Sequence, residues 1–168
     1  MHTTLGTISQ YKRWLLWTDK DGRKIPHYLN RRPRGVGVDG KVQLDTPEDW
    51  EGMGTLDEAK ALAVGGYKVG LALGPIDDGK FLQGIDLDKI GSQNPHLKQY
   101  EKTLPGYVER SPSGDGLHAI GIGKSFRGKK KGGVEAYCAG RFFTFTGDVI
   151  RDGVVTDLTP IIHRTATH

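Results

Sequence analysis

The sequence predicts a strand-rich α+β fold, and three observations lead to this prediction. Glycine makes up 25 of the 168 residues, which favours many tight turns over a helical bundle. Residues 67–74 alternate between apolar and small or polar side chains, the period of a half-buried strand. Clear helix signals are few, and the best is Thr55 followed by Glu58, a capping box.

The remaining elements follow from turn and strand signals along the chain. Strands are predicted at residues 14–17, 23–29, 67–74, 81–88, 107–110, 117–123, 134–138, 141–146 and near 154–155. Helices are predicted early in residues 5–17 with Ser9 as cap, at 55–64, and at 95–104 with Asn94 as cap. Residues 45–54 are predicted to form a loop or a single helical turn.

Several connections carry specific turn signals. Asp21-Gly22 predicts a tight turn between the first two strands, and Pro26 favours an edge position for the second. Residues 75–79 predict another hairpin turn, and residues 124–133 a basic loop. Ala139-Gly140 is expected to join the strands at 134–138 and 141–146 as a hairpin.

Composition limits the function classes. The formal net charge is +4 and the sequence pI about 9.1, which is compatible with a polyanionic partner. The single cysteine, Cys138, excludes an internal disulfide and a cysteine-built zinc site. No apolar run approaches the roughly 18 residues of a membrane span, and the N-terminus lacks a signal-peptide pattern. We therefore expect no membrane association and a reducing cytoplasm.

Asp86 and Asp88 are the leading candidates for catalytic metal ligands. They end an apolar strand two residues apart, so they are expected to face the same way, about 6–7 Å apart at their backbones. Paired carboxylates suit Mg²⁺ or Mn²⁺, and two such ions would drive phosphoryl transfer. The alternative is a surface Asp-x-Asp that caps the following helix.

Glu135 offers a third carboxylate on a later strand. It lies between apolar neighbours and shares a strand face with Tyr137. An unpaired Glu in that position is costly to bury, and a metal shared with Asp86 and Asp88 would remove the cost. The alternative is that Glu135 faces solvent.

A second group of residues is suited to phosphate binding. His118 follows the turn 111–116, whose Ser111, Ser113 and Gly114 form a candidate nest for phosphate oxygens. Arg141 suits bidentate phosphate recognition, and Phe142 could pack on a sugar or base. A plain hairpin turn, a satisfied core histidine and a structural phenylalanine remain open alternatives.

Two basic segments are candidates for nucleic-acid contacts. Arg31, Arg32 and Arg34 lie in the irregular, glycine-rich segment 30–41, and Lys129, Lys130 and Lys131 lie in the predicted loop 124–133. Either segment would grip phosphates of a polyanion, or would simply be a solvated loop.

These motifs resemble those of the phage and plasmid primase-polymerases, in the archaeo-eukaryotic primase superfamily. The resemblance covers nearly the whole chain, and its most specific part is the order and spacing of four blocks. The blocks are Ile85-Asp86-Leu87-Asp88, the stretch from Ser111 through Gly116-Leu117-His118, Glu135-Ala136-Tyr137, and Gly140-Arg141-Phe142-Phe143-Thr144-Phe145-Thr146-Gly147.

The resemblance implies a small N-terminal α/β module (residues 1–66) and an RRM-like module (residues 67–168), with the site in the cleft between them. Asp86, Asp88 and Glu135 would be the catalytic metal ligands for two Mg²⁺ or Mn²⁺ ions. His118, Ser111 or Ser113, and Arg141 would contact the phosphates of an incoming NTP or dNTP. The expected activity is template-directed DNA or RNA synthesis on a single-stranded DNA template.

Relatives in this family often continue into a helical domain and a helicase, whereas this chain ends at His168. Primer extension is therefore a safer expectation than synthesis without a primer. Two other functions stay open: an Asp-x-Asp glycosyltransferase, and a non-catalytic RRM-like module that binds single-stranded nucleic acid. A His-x-His replication nuclease is disfavoured because the sequence has no such pair.

Overall fold

The computed structural model describes residues 2–166, and strands dominate that part of the chain. The α-helices are α1 (Thr4–Ile8), α2 (Pro47–Glu51), α3 (Leu56–Leu62) and α4 (Thr159–Ala166), and 3-10 helices cover Asp77–Gly79 and Pro95–Glu101. The strands are β1 (Trp14–Lys20), β2 (Arg23–His27), β3 (Val36–Gly37), β4 (Gly40–Lys41), β5 (Lys68–Pro75), β6 (Phe81–Leu87), β7 (Tyr107–Arg110), β8 (Leu117–Gly123), β9 (Lys129–Lys131), β10 (Val134–Tyr137), β11 (Arg141–Thr144) and β12 (Val149–Asp152). The α+β prediction is confirmed: helices are few, and neighbouring strands such as β6 and β8 pair antiparallel.

The chain divides into two compact units. The first comprises residues 8–72 together with 142–145, and the second comprises the rest of the chain. Each unit has its own apolar core.

In the first unit, β1 is the central strand. It pairs antiparallel with β2 on one edge and with the first half of β5 on the other. Trp14 is fully buried, its indole N–H donates to the Ile8 carbonyl at 2.9 Å, and its ring meets Phe145 edge-on at 4.9 Å. On the other face of β1, Leu15 packs in a cluster that Phe142 covers.

Helix α3 begins as its capping box predicts. The Thr55 hydroxyl accepts from the Glu58 N–H, and the Glu58 carboxylate accepts from the Thr55 N–H. These two bonds satisfy backbone donors that the first turn leaves unpaired. The helix ends at Leu62, two residues earlier than predicted.

The second unit is built on antiparallel strands in the order β12-β7-β8-β6. The other edge of β6 is shared by the end of β5 and by β10, which also pairs with β9. Helix α4 contributes Ile161 and Ile162 to the core, beside Ile85, Leu87 and other buried side chains of the sheet.

Four predicted features of the strands are wrong. Residues 129–131 form strand β9 rather than a loop, because their backbone pairs with β10. Strands β10 and β11 do not form a hairpin: β10 pairs with β6 and β9, and β11 pairs with β5. The centre of β5, from Gly70 to Gly74, is buried on both faces. The last strand is β12 rather than residues 154–155.

Two predicted helix starts are also wrong. Helix α1 ends before Ser9, so this residue does not cap its start. Residues 95–101 form a 3-10 helix, and the Asn94 side chain makes no cap bond. Its amide donates instead to the Asp88 carbonyl at 2.9 Å. Among the described helices, none has the length and apolar character needed to cross a bilayer.

Candidate active site

A row of ionisable side chains crosses five strands of the second unit. The backbone register places Lys130 opposite Glu135, Glu135 opposite Asp86, Asp86 opposite His118, and His118 opposite Glu109. Residues directly opposite in antiparallel strands share a face, with Cβ atoms about 4.5–5.5 Å apart. The fold therefore brings Asp86, Glu135 and His118 together, as the sequence predicts.

The two carboxylates at the centre of the row are partly open to solvent. The side chains of Asp86 and Glu135 are 26% and 33% exposed. The ammonium of Lys130 lies 3.9 Å from Glu135 Oε1 and is itself highly exposed, so this pair contributes little to stability.

Asp88 lies one residue beyond the end of β6. Its backbone N–H donates to the Gly133 carbonyl at 2.8 Å, which fixes this stretch against the turn before β10. A pocket of about 290 Å³ opens there, lined by Asp88, Lys130, Lys131, Gly132, Gly133, Val134 and Glu135. Asp88 and Glu135 thus border the same space.

The donor types of this site suit a hard divalent cation, because all three candidates are carboxylates. Within residues 2–166, however, no group of three His, Cys, Asp or Glu side chains is gathered closely enough to hold a metal ion. Asp86 is the register partner of Glu135 on the neighbouring strand, and Asp88 lines the same pocket as Glu135. Metal binding by Asp86, Asp88 and Glu135 stays a prediction.

His118 is buried between two carboxylates. Its Nε2 lies 3.7 Å from Asp86 Oδ1, beyond hydrogen-bond range. On the other side, Nδ1 lies 3.2 Å from Glu109 Oε2. The ring is therefore anchored at Nδ1, and its Nε2 edge faces the acidic side of the row.

Sequence reasoning missed Glu109, which is 2% exposed at its side chain. Its local signal was weaker than that of Glu135, because Val108 precedes it but the charged Arg110 follows it, whereas Glu135 lies between Val134 and Ala136. Tyr107 lies two residues before Glu109 on the same face and donates its hydroxyl to Glu109 Oε1 at 2.9 Å. Burial raises the pKa of Tyr107 above its usual range, and the Glu109 charge adds to the rise.

Tyr137 and Arg141 extend the site beyond Glu135. The Tyr137 hydroxyl donates to Glu135 Oε1 at 2.9 Å, and the Arg141 guanidinium lies 4.7 Å from the Tyr137 ring centroid. Burial and the bond to Glu135 raise the pKa of Tyr137. Arg141 is exposed, so its charge faces solvent near the acids. Phe142, in contrast, is half-buried and packs on the Leu15 cluster of the first unit.

The turn 111–116 is ordered by its own hydrogen bonds. The Ser111 and Ser113 hydroxyls lie 3.1 Å apart, and the Gly114 N–H donates to the Ser111 carbonyl at 2.9 Å. Asp115 ties this turn to the residues after Asp88, since its carboxylate accepts from the Gly91 N–H and the Ser92 hydroxyl at 2.7 and 2.6 Å. These bonds lower the pKa of Asp115.

The basic candidates differ in exposure. Arg31 and Arg32 are exposed, and the Arg31 guanidinium lies over the Tyr67 ring at 4.6 Å. Arg34 is not a surface residue: its side chain is 2% exposed and bonds Asp49 Oδ2 at 2.7 Å. A phosphate-gripping role for Arg34 is inconsistent with this burial. Lys130 and Lys131 are exposed on β9, and Lys129 is half-buried.

Comparison with known proteins gives one relevant relative. No family model matches the chain. The chain is 33% identical to a DNA primase-polymerase of Nitratiruptor phage NrS-1 over 156 residues, which cover 84% of this chain and 20% of the relative. The resemblance to phage primase-polymerases is confirmed. The chain spans about a fifth of the length of that relative, and the region of similarity takes in most of both units.

Proposed function

We propose that this chain carries the nucleotidyl-transfer site of a template-directed DNA primase-polymerase that acts in replication. The main support is the register that aligns Glu135, Asp86 and His118 on one sheet face, in a chain similar to a phage DNA primase-polymerase. In such a site, the partly exposed carboxylates of Asp86 and Glu135 would bind metal ions, and His118 beside them would bind phosphate.

In this proposal Asp86, Asp88 and Glu135 hold Mg²⁺ or Mn²⁺, with two ions expected. When bound, the ions would activate the 3′ hydroxyl of the primer and neutralise the leaving pyrophosphate. The chain's own contribution is to hold the acids on paired strands and at the adjoining pocket. Tyr137 orients Glu135 through its hydrogen bond to Oε1.

His118 and Arg141 would bind the triphosphate of the incoming NTP or dNTP, with Ser111, Ser113 and Gly114 of the turn 111–116 beside them. The Nε2 edge of His118 faces Asp86, so a phosphate placed there would lie next to the acids. This placement would align the α-phosphate with the attacking hydroxyl. A sugar contact by Phe142 is not part of the proposal, because Phe142 packs on the first unit's core.

The single-stranded DNA template would be held by the basic side chains of two segments. Lys130 and Lys131 are exposed and border the acidic pocket, and the half-buried Lys129 precedes them on β9. Arg31 and Arg32 are exposed on the first unit. The relative is about five times longer than the region it shares with this chain. Further partners are therefore expected, such as a helicase or a helical initiation domain in the same or another chain.

Primer extension tests the proposal directly. Asp86→Asn removes one charge at nearly constant shape, and we expect a loss of incorporation of more than about a hundredfold. Asp77→Asn, in the exposed turn before β6, is the matched control and should incorporate normally. Template binding, measured by fluorescence anisotropy, should persist in both variants. Unchanged incorporation by Asp86→Asn would favour a binding module without catalysis.

A further inference from the structure

Glu109 is a buried carboxylate that accepts hydrogen bonds from several donor groups. Its Oε1 accepts from the Tyr107 hydroxyl at 2.9 Å and from the Thr146 and Gly147 N–H groups, both at 3.2 Å. Its Oε2 accepts from the Thr146 N–H at 3.0 Å and contacts His118 Nδ1 at 3.2 Å. A buried charge needs such compensation, since an isolated carboxylate is expensive to desolvate.

The chemistry of this contact fixes a proton on His118. A carboxylate only accepts hydrogen bonds, so Nδ1 must carry the hydrogen that it shares with Glu109. Nε2 is then the nitrogen on the side of Asp86, at 3.7 Å from Oδ1. A phosphate oxygen likewise only accepts, so a phosphate contact there needs a second hydrogen on Nε2, and the phosphate-bound ring carries both. Without Glu109, the ring would lose both the partner that holds its orientation and the reason for this tautomer.

We propose that Glu109 is a positioning residue for nucleotide binding, which acts through Nδ1 of His118. The inference rests on the proposed function in one respect, the contact of His118 with the triphosphate. Glu109 itself lies one strand further from the acids and touches no reacting group. Its bonds to Thr146 and Gly147 also connect the histidine to the segment that follows β11.

The first test concerns the free protein and does not depend on polymerase activity. Long-range ¹⁵N–¹H correlation spectra of the imidazole rings report which nitrogen carries the hydrogen in the neutral ring, and the His118 signals are assigned by their loss in His118→Gln. We expect the Nδ1–H tautomer in the wild type. The Nε2–H tautomer would overturn the proposal, whatever the outcome of any activity assay.

The second test uses Glu109→Gln. The amide oxygen should stay with the three donors at Oε1, which turns the NH₂ group toward His118 Nδ1. Nδ1 can then no longer donate to residue 109, so the ring that carries both hydrogens loses the partner that holds its orientation. We expect the apparent KM for nucleotide in primer extension to rise about tenfold, the lower end of the loss known for metal-binding histidines when their orienting partner is removed. The kcat should change less than KM.

Asp157→Asn is the matched control. Asp157 also accepts several hydrogen bonds in this unit, from the Gln83 amide, the Thr159 N–H and hydroxyl, and the Lys124 N–H. The same change there should lower the melting temperature while nucleotide KM stays within about twofold. An equal rise in KM for Asp157→Asn would reduce the Glu109 effect to general loss of stability.

A double-mutant cycle tests whether Glu109 affects nucleotide binding through His118 or independently of it. If it acts through His118, Glu109→Gln should change nucleotide KM by less than about twofold once His118 is already alanine. Additive effects would contradict the proposal. If wild type failed to extend a primer, the tautomer measurement would still test Glu109, and only the proposed function would fall.

Discussion

Each unit contains a network built around carboxylates. The networks differ in how completely hydrogen bonds and opposite charges within the unit engage the carboxylate oxygens. We call the network of the first unit closed and that of the second unit open. In the first unit, Asp49 is fully buried and bonds Arg34 at 2.7 and 3.2 Å and the Tyr28 hydroxyl at 2.7 Å. In the second unit, the basic side chains beside Asp86 and Glu135 in the row, His118 and Lys130, lie at 3.7 and 3.9 Å. The first network is satisfied within its unit, whereas the second keeps partly exposed acids.

This difference has a physical reason. A buried carboxylate is tolerated when hydrogen bonds, or hydrogen bonds together with an opposite charge, replace its hydration. For Asp49, burial opposes ionisation, but the bonds from Arg34 and Tyr28 outweigh it and lower the pKa of this carboxyl. Such a group has no capacity left for a ligand. Asp86 and Glu135 remain in contact with water, so a cation or substrate can still compete for them.

The largest expected difference between the two networks is in the free energy of unfolding when one carboxylate of each is neutralised. Asp49→Asn removes the charge that compensates the buried guanidinium of Arg34, and we expect it to lower the free energy of unfolding by about 3 kcal/mol. Asp86→Asn should change that free energy by less than about 0.5 kcal/mol, because its site is partly exposed. Urea titration of both variants measures this. Equal destabilisation would break the comparison.

Acid should act through the same closed network. The folded-state pKa of Asp49 lies below its ordinary value of 3.8, so the network stabilises the fold above that value. The contribution is lost as pH falls below 3.8 through the folded-state pKa. The melting temperature of the wild type, followed from pH 7 to pH 3, should therefore fall more steeply than that of Asp49→Asn. Parallel curves would show that Asp49 does not carry this acid dependence.

The basic strand β9 offers a test on the open side of the site. Changing Lys129, Lys130 and Lys131 to Gln should lower the slope of log affinity for single-stranded DNA against log salt by up to about 2, at roughly 0.7 per phosphate contact. Gln keeps the strand pairing, which uses the backbone. Lys98→Gln with Lys102→Gln, exposed in and directly after the 3-10 helix Pro95–Glu101, should leave the slope unchanged. An unaltered slope in the β9 variant would remove this strand from the template surface.

Local signals in the sequence predicted much of the fold. The capping box at Thr55, the turn at Asp21-Gly22, and the bounds of β7 and β8 all agree with the structure. In each case the signal and the interaction that it predicts lie within a few residues. Turn residues, capping side chains and strand periodicity act over that same distance, so no tertiary information was needed.

The errors arise where a distant partner decides the structure. Ala139-Gly140 resembles a hairpin turn, yet β10 and β11 separate because β6 and β5 offer them other edges. Lysines 129–131 form a strand because β10 pairs with them, although their side chains suit a loop. Glu109 was missed because Thr146 and Gly147, which satisfy it, lie 37 and 38 residues away.

For the candidate site, the spacing of the motifs predicted that Asp86, His118 and Glu135 act together, and their register agrees. It could not predict that Arg34 is buried, because its partner Asp49 becomes a neighbour only when α2 forms and packs. A charged residue is therefore assigned to a surface reliably only after its counter-charge is known.

The smallest effect concerns Arg141, whose charge lies over the Tyr137 ring beside Glu135. Arg141→Lys keeps the charge but loses the planar guanidinium, so we expect the apparent KM for nucleotide to rise about two- to fivefold, equivalent to about 0.5–1 kcal/mol. Arg127→Lys, at another exposed position of the same unit, should leave KM unchanged. Because the expected shift is small, Arg141→Ala should be measured as well and should exceed it. If even the alanine variant kept the wild-type KM, Arg141 would serve only to pack on Tyr137, and the open network would end at Glu135.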